Sequence, residues 1–211
     1  MNTPINIILV DDHAIVRAGF RMLLATEDSI NVIAEAERGE QACQLYNELQ
    51  PDVMVIDLSM SGIGGLEAIR RICHRDSNAK ILVFSVHDES VYIDRAINAG
   101  AKGYISKNAH PDILIEAIQR VAAGNLYIEH GLLKLSNEHL ISDETDYKAI
   151  IESLSAREFD VFLLLAKGYT AHKIADELCL GYKTILNNFI TLITVIKLRI
   201  SRYGFIRTYQ T

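Results

Sequence analysis

Over the first 125 residues, short apolar and β-branched runs alternate with stretches in which apolar positions recur every three and four residues. That alternation is the pattern of a parallel sheet with crossover helices. The runs predict five strands, at Ile5–Val10, Val32–Ala36, Val53–Ile56, Ile81–Ser85 and Gly103–Ile105. Helical spacing predicts Ile15–Ala25, Glu40–Leu49, Gly65–His74, Val91–Ala99 and Pro111–Ala123 between and after them. Pro111 stands at a helix start, and Gly39, Gly100 and Gly124 stand near element boundaries, where such residues belong. The expected fold class is therefore α/β: a (βα)5 unit followed by something different.

After Gly124 the β pattern stops. Residues 125–153 set Lys134 and Lys148 against six acidic side chains and read as a linker, with one short helix at Leu132–Leu140. From Leu154 a small all-α unit begins. Ser155 followed by Glu158 forms a capping box that opens a helix to about Lys167. A second helix is expected from Thr170 to about Leu178 and a third from about Tyr182 to Leu198. Two short helices and a longer one, joined by tight turns, suggest a helix-turn-helix. The expected organisation is 1–124, a linker at 125–153, and 154–211.

Composition narrows the classes. A chain of 211 residues, 49% hydrophobic and 23% charged, can bury a core and should fold without staples. Three cysteines, Cys43, Cys73 and Cys179, never form a C-x-x-C pair, so neither a disulfide framework nor a zinc site is suggested. The N-terminus has no basic leader, and the apolar runs fall far short of the roughly 20 residues a membrane span requires. A cytoplasmic protein without membrane contact is expected. The net charge of −6 excludes a histone-like role, but it divides unevenly: −6 over residues 1–125, −4 over 126–153 and +4 over 154–211.

In an open parallel sheet, ligands sit beyond the carboxyl ends of the strands. The residues there are Asp11 and Asp12 after the first strand, Asp57 after the third, Ser85 ending the fourth and Lys107 after the fifth. Converging carboxylates repel one another unless a cation joins them. Oxygen ligands with room for water and a phosphoryl group favour magnesium. A lysine and a hydroxyl aimed at the same place would hold the other oxygens of a phosphoryl group on Asp57. An aspartate phosphatase would need a second aspartate two residues on; Ser59 stands there, so an enzyme is not expected.

The residues Val10-Asp11-Asp12-His13, Val55-Ile56-Asp57-Leu58-Ser59-Met60, Phe84-Ser85-Val86-His87 and Gly103-Tyr104-Ile105-Ser106-Lys107 resemble the flavodoxin-like receiver domain of two-component response regulators. The resemblance implies that Asp57 accepts a phosphoryl group from a sensor histidine kinase. It implies that Asp12, Asp57 and the Ser59 backbone carbonyl ligate magnesium with Asp11 assisting, and that Ser85, Lys107 and the switch residue Tyr104 relay the signal. Ser61 departs from the family, which usually has proline there, and a looser loop beside Asp57 is expected. Val16-Arg17-Ala18-Gly19, Gly62-Ile63-Gly64-Gly65-Leu66-Glu67-Ala68 and Ala99-Gly100-Ala101-Lys102-Gly103-Tyr104 are similar to the NarL/FixJ branch, most of all to the GacA/UvrY/LetA regulators. That likeness implies a hybrid sensor kinase as the donor and genes for small regulatory RNAs as targets.

Leu154-Ser155-Ala156-Arg157-Glu158, Lys167-Gly168, Ile174-Ala175, Leu178 and Lys183-Thr184-Ile185 resemble a LuxR-type helix-turn-helix, which implies promoter DNA as a partner. The third helix departs from that pattern: between Lys183 and Lys197 it carries no charge. Ile185, Phe189, Leu192, Ile193 and Ile196 form one apolar stripe, leaving Leu186, Asn187, Ile190, Thr191 and Thr194 outward. Three readings are open here. Lys173 and Lys183 hold phosphates while Thr184, Asn187 or Thr191 meet the DNA; the module has lost specific DNA binding and serves a protein partner, as a switch or phosphoryl sink; or the helix is core in a compact dimer. Ser201-Arg202-Tyr203-Gly204-Phe205-Ile206 resembles the family's last, dimer-forming helix, which implies a homodimer.

Overall fold

The computed structural model describes residues 3–132, 154–166, 168–178, 180–187 and 190. The chain divides into two compact units, Met1–Ile141 and Ser142–Thr211. In the first, β1 (Ile5–Val10), α1 (Ala14–Leu24), β2 (Ile30–Ala36), α2 (Gly39–Leu49), β3 (Val53–Ile56), α3 (Gly64–Arg75), β4 (Ile81–Ser85), α4 (Ser90–Asn98), β5 (Gly103–Ser106) and α5 (Pro111–Ala122) alternate strictly. The strands form one parallel sheet in the order β2-β1-β3-β4-β5-β6. With helices on both faces, β3, β4 and β5 are buried along their whole length, which is why they read as continuous apolar runs. On one side of the sheet, Ile7, Leu9, Val53, Val55, Leu82, Phe84 and Ile105 meet α5 through Leu114, Ala117, Ile118 and Val121.

One expectation is corrected. The β pattern does not stop after Gly124: β6 (Tyr127–Ile128) follows α5 and adds a sixth parallel strand, pairing Gly103 with Tyr127 and Tyr104 with Ile128. Further hydrogen bonds run from Tyr127 N to Lys102 O (3.0 Å) and from Glu129 N to Tyr104 O (3.1 Å). The Glu129 carboxylate accepts from Ser106 N at 2.8 Å, so residues directly after α5 clasp β5 at the strand that carries Tyr104.

In the second unit, α6 (Ala156–Ala166) opens on the expected capping box: Glu158 N donates to Ser155 Oγ (3.3 Å), and Glu158 Oε2 accepts from Ser155 N (2.8 Å). The next helix, α7 (Ala171–Glu177), is capped by Thr170, whose hydroxyl accepts from Lys173 N at 3.4 Å. Residues 182–187 and residue 190 are helical. Val161, Ile174, Ala175 and Ile185 form the core of these three helices. The expected helix at Leu132–Leu140, the rest of the third helix and the dimer-forming segment lie outside the described residues.

Candidate functional site

The strand order reverses between β1 and β3, where both neighbouring connections leave the same end of the sheet. Asp57 N donates to Val10 O (2.9 Å) and Asp11 N to Ala36 O (3.1 Å), so both aspartates continue the ladders by one residue and stand side by side at the switch point. Lys107 N donates to Ser85 O (2.7 Å), which brings the ends of β4 and β5 level with them. Gly65 closes the floor. A Cβ there would lie 1.9 Å from the Asp57 carbonyl oxygen, so only glycine lets the start of α3 pack under the aspartate.

Asp57 is 2% exposed. Its Oδ2 accepts from Lys107 Nζ at 2.8 Å, and the same ammonium lies 2.5 Å from Asp11 Oδ2. Burial pushes the Asp57 carboxyl pKa upward, and Lys107 counters this in part. Burial draws Lys107 down, but the two carboxylates outweigh it and its pKa is raised. Lys107 pairs with two of the three carboxylates gathered here, where atoms of Asp11, Asp12, His13 and Asp57 lie within 4.8 Å of one another. Asp57 Oδ1 and Asp12 Oδ1 are buried without a hydrogen bond among the described residues. His13 Nδ1 lies 3.0 Å from the latter, without hydrogen-bonding geometry. Two orphaned carboxylate oxygens and an excess of negative charge suit a hard, oxygen-seeking dication.

The surrounding loops are tied down. Arg17, buried on α1, donates from Nη1 to the Asp11 carbonyl (2.5 Å), from Nη2 to Glu37 (2.6 Å) and from Nε to Glu35 (3.3 Å). Ser61 N donates to Asp12 Oδ2 at 3.2 Å and Ile63 N to Glu40 Oε1 at 3.1 Å. The looser loop expected from Ser61 is not what the structure has: a proline could not donate to Asp12, whereas serine's N–H does.

Ser85 and Tyr104 are fully buried. Tyr104 points inward, its hydroxyl donating to His87 O at 2.8 Å. Burial drives the phenol pKa far up, with Ser85 as a weaker opposing hydrogen-bond partner. The structure places Asp11, Asp12, Asp57, Ser85 and Lys107 at the strand ends, as the apolar runs predict, and Ser59 and Tyr104, which the resemblance implied, meet there through His87. It also adds His87, which in the sequence stands only as the last residue of Phe84-Ser85-Val86-His87. Its Nε2 is 2.7 Å from Ser59 Oγ, its ring stacks on Tyr92 (4.0 Å between centroids, 13° between planes) and its N–H reaches Ser85 Oγ at 3.3 Å. No periodicity marks such a residue; its position two after Ser85 was the one available signal.

In the second unit Lys173, Lys183, Thr184 and Asn187 are exposed. Lys173 Nζ rests 3.8 Å above the Tyr169 ring, and His172 stacks on Tyr182 at 4.3 Å. Thr191 lies outside the described residues.

Residues 7–119 match the response regulator receiver domain family. The chain belongs to the response regulators. Residues 152–192 of this response regulator match the LuxR family of bacterial regulatory proteins. The response regulator UvrY of Escherichia coli K12 is 38% identical over 181 residues, 86% of this chain and 83% of UvrY. GacA of Pseudomonas aeruginosa is 36% identical over 182 residues, 86% of this chain and 84% of GacA. Among solved structures, a LuxR-family two-component response regulator from Aurantimonas covers 66% of this response regulator and all of that chain, with 38% identity and a TM-score of 0.63. A structure of two RcsB dimers bound to two parallel DNAs covers 88% of each chain, with 25% identity and a TM-score of 0.62.

Proposed function

We propose that this response regulator is phosphorylated on Asp57 by a sensor histidine kinase and, in that state, regulates transcription by binding promoter DNA through its LuxR-type unit, acting in the cytoplasm and as a homodimer. The observation that carries the reading is the buried Asp57 carboxylate, with Oδ2 held by Lys107 and Oδ1 without a hydrogen bond of good geometry among the described residues. Asp11, Asp12, Asp57 and the Ser59 carbonyl would hold magnesium, which neutralises phosphoryl oxygens when bound. A carboxylate oxygen of Asp57 takes the phosphorus as the donor's P–N bond breaks, and Lys107 holds a phosphoryl oxygen. The added charge, about −1.5 to −2, draws the Ser85 hydroxyl inward and weakens its bond to His87 N. Tyr104, whose anchor is the His87 carbonyl, then shifts its resting place and alters the face of β5 and α4. The receiver at 1–124 and the helix-turn-helix at 154–211 are joined by 125–153, whose first residues pair with β5. No helix among the described residues is long and apolar enough to cross a membrane, and the relative solved with DNA supports the nucleic-acid partner.

The test is titration of the beryllofluoride-loaded protein against candidate promoter duplexes at two salt concentrations. Specific binding that weakens with salt and is strengthened by loading is the expected result. Affinity no better than for unrelated DNA, unchanged by loading, would overturn the reading.

A further inference from the structure

The third helix of the C-terminal unit presents an outer face unlike a phosphate-gripping one. Leu186 is 40% and Ile190 63% exposed, whereas Ile185 is fully buried against α6 and α7. At about 100° per residue, Lys183, Leu186, Asn187 and Ile190 fall within an arc of about 100°. One cation, one amide and two aliphatic side chains therefore share a solvent-facing sector, and residues 184–196 hold no acidic side chain. The unit itself is positive: residues 154–211 carry eight basic and four acidic side chains. That charge, with Lys183 in the sector and Lys173 exposed on α7, fits a polyanion better than an apolar protein surface.

Within the major groove only thymine offers an apolar group, its C5-methyl, while adenine offers an acceptor and donor pair suited to an amide. We infer that Leu186 and Ile190 read thymine methyl groups in the major groove, with Asn187 beside them on an adenine edge and Lys183 on the backbone. This rests on the DNA-binding reading above and adds a base preference to it. The expected site is rich in A·T pairs at the positions this helix faces, and discrimination there comes from methyl contact and the amide's hydrogen bonds to adenine.

Replacing thymine with uracil removes that methyl and nothing else from the groove edge. Duplexes enriched from a random pool by the full-length, beryllofluoride-loaded protein would be compared with the same duplexes carrying dU for dT. Wild type should bind the uracil duplex about three- to tenfold more weakly, the worth of one or two buried methyl groups. L186A and I190A, both at exposed positions and checked for folding by circular dichroism, should each narrow that ratio, and the double variant should bring it to about one. L186K should narrow the ratio as L186A does while steepening the dependence of log affinity on log salt by about 0.9. Equal wild-type affinity for both duplexes, with salt-dependent binding retained, would overturn the inference and leave the DNA-binding reading standing. Failure to enrich any duplex, with no salt-dependent binding, would overturn both. Self-association lost in I190A, without DNA binding, would assign the face to a second copy of the chain instead.

Discussion

His87 joins three parts of the receiver through one residue: the loop after β3 through Ser59, α4 through Tyr92, and β5 through the hydroxyl of Tyr104. Such a bridge should register as coupling between its ends. In a double-mutant cycle, His87→Ala and Ser59→Ala should each lower stability by about 1 kcal/mol and couple by about 0.5–1.5 kcal/mol, read by denaturant unfolding. Strict additivity would mean that the 2.7 Å contact contributes nothing. The cysteines give a second check at this scale. Burial raises the thiol pKa of both Cys43 and Cys73, so the thiolate fraction at neutral pH falls below that of a free cysteine. Both should be alkylated by iodoacetamide more slowly than glutathione at pH 7.5, as followed by mass spectrometry. Faster labelling than glutathione would contradict their half-buried placement.

Elements were legible where burial was two-sided or a helix face was long. β1, β3 and β4 run over the expected residues, and in β3 and β4, buried along their whole length, no exposed position blurs the ends. β2, at the sheet edge and only half-buried, begins two residues earlier than Val32. β6 was missed because two half-buried residues, Tyr127 and Ile128, carry no alternation to detect; their pairing depends on where α5 ends, not on their own pattern. The carboxylates of the pocket were legible because each follows an apolar run. The ties from Arg17, Ser61 and His87 were not, because they depend on loop paths and side-chain reach across 6 to 49 residues of chain. The contact between α3 and β3 has its own test. Gly65→Ala would place a methyl 1.9 Å from the Asp57 carbonyl oxygen, and the start of α3 must move away. Thermal unfolding should show a loss of about 3 kcal/mol or more, beyond that of an ordinary glycine-to-alanine change in a helix. An unchanged or raised melting temperature would show that α3 does not sit as close as this.

At the scale of the whole molecule, the −6 net charge conceals stretches of opposite sign: an acidic receiver built around a carboxylate pocket and a basic run of sequence over residues 154–211. Net acidity therefore says nothing against a nucleic-acid partner, and on the outer face of the third helix Lys183 is the one charge between residues 183 and 190. The receiver's contribution is concentrated at one carboxylate. Asp57 has a cation on one oxygen, a second oxygen without a hydrogen bond among the described residues, two further aspartates beside it and a buried tyrosine whose anchor lies one loop away. The most direct measurement is phosphoryl labelling with radiolabelled acetyl phosphate and magnesium, mapped to a residue by peptide analysis, on wild type and Asp57→Asn side by side. The account requires label on Asp57 in wild type and none in Asp57→Asn. Label retained by Asp57→Asn on another aspartate, or wild type that stays unlabelled while binding magnesium, would contradict it.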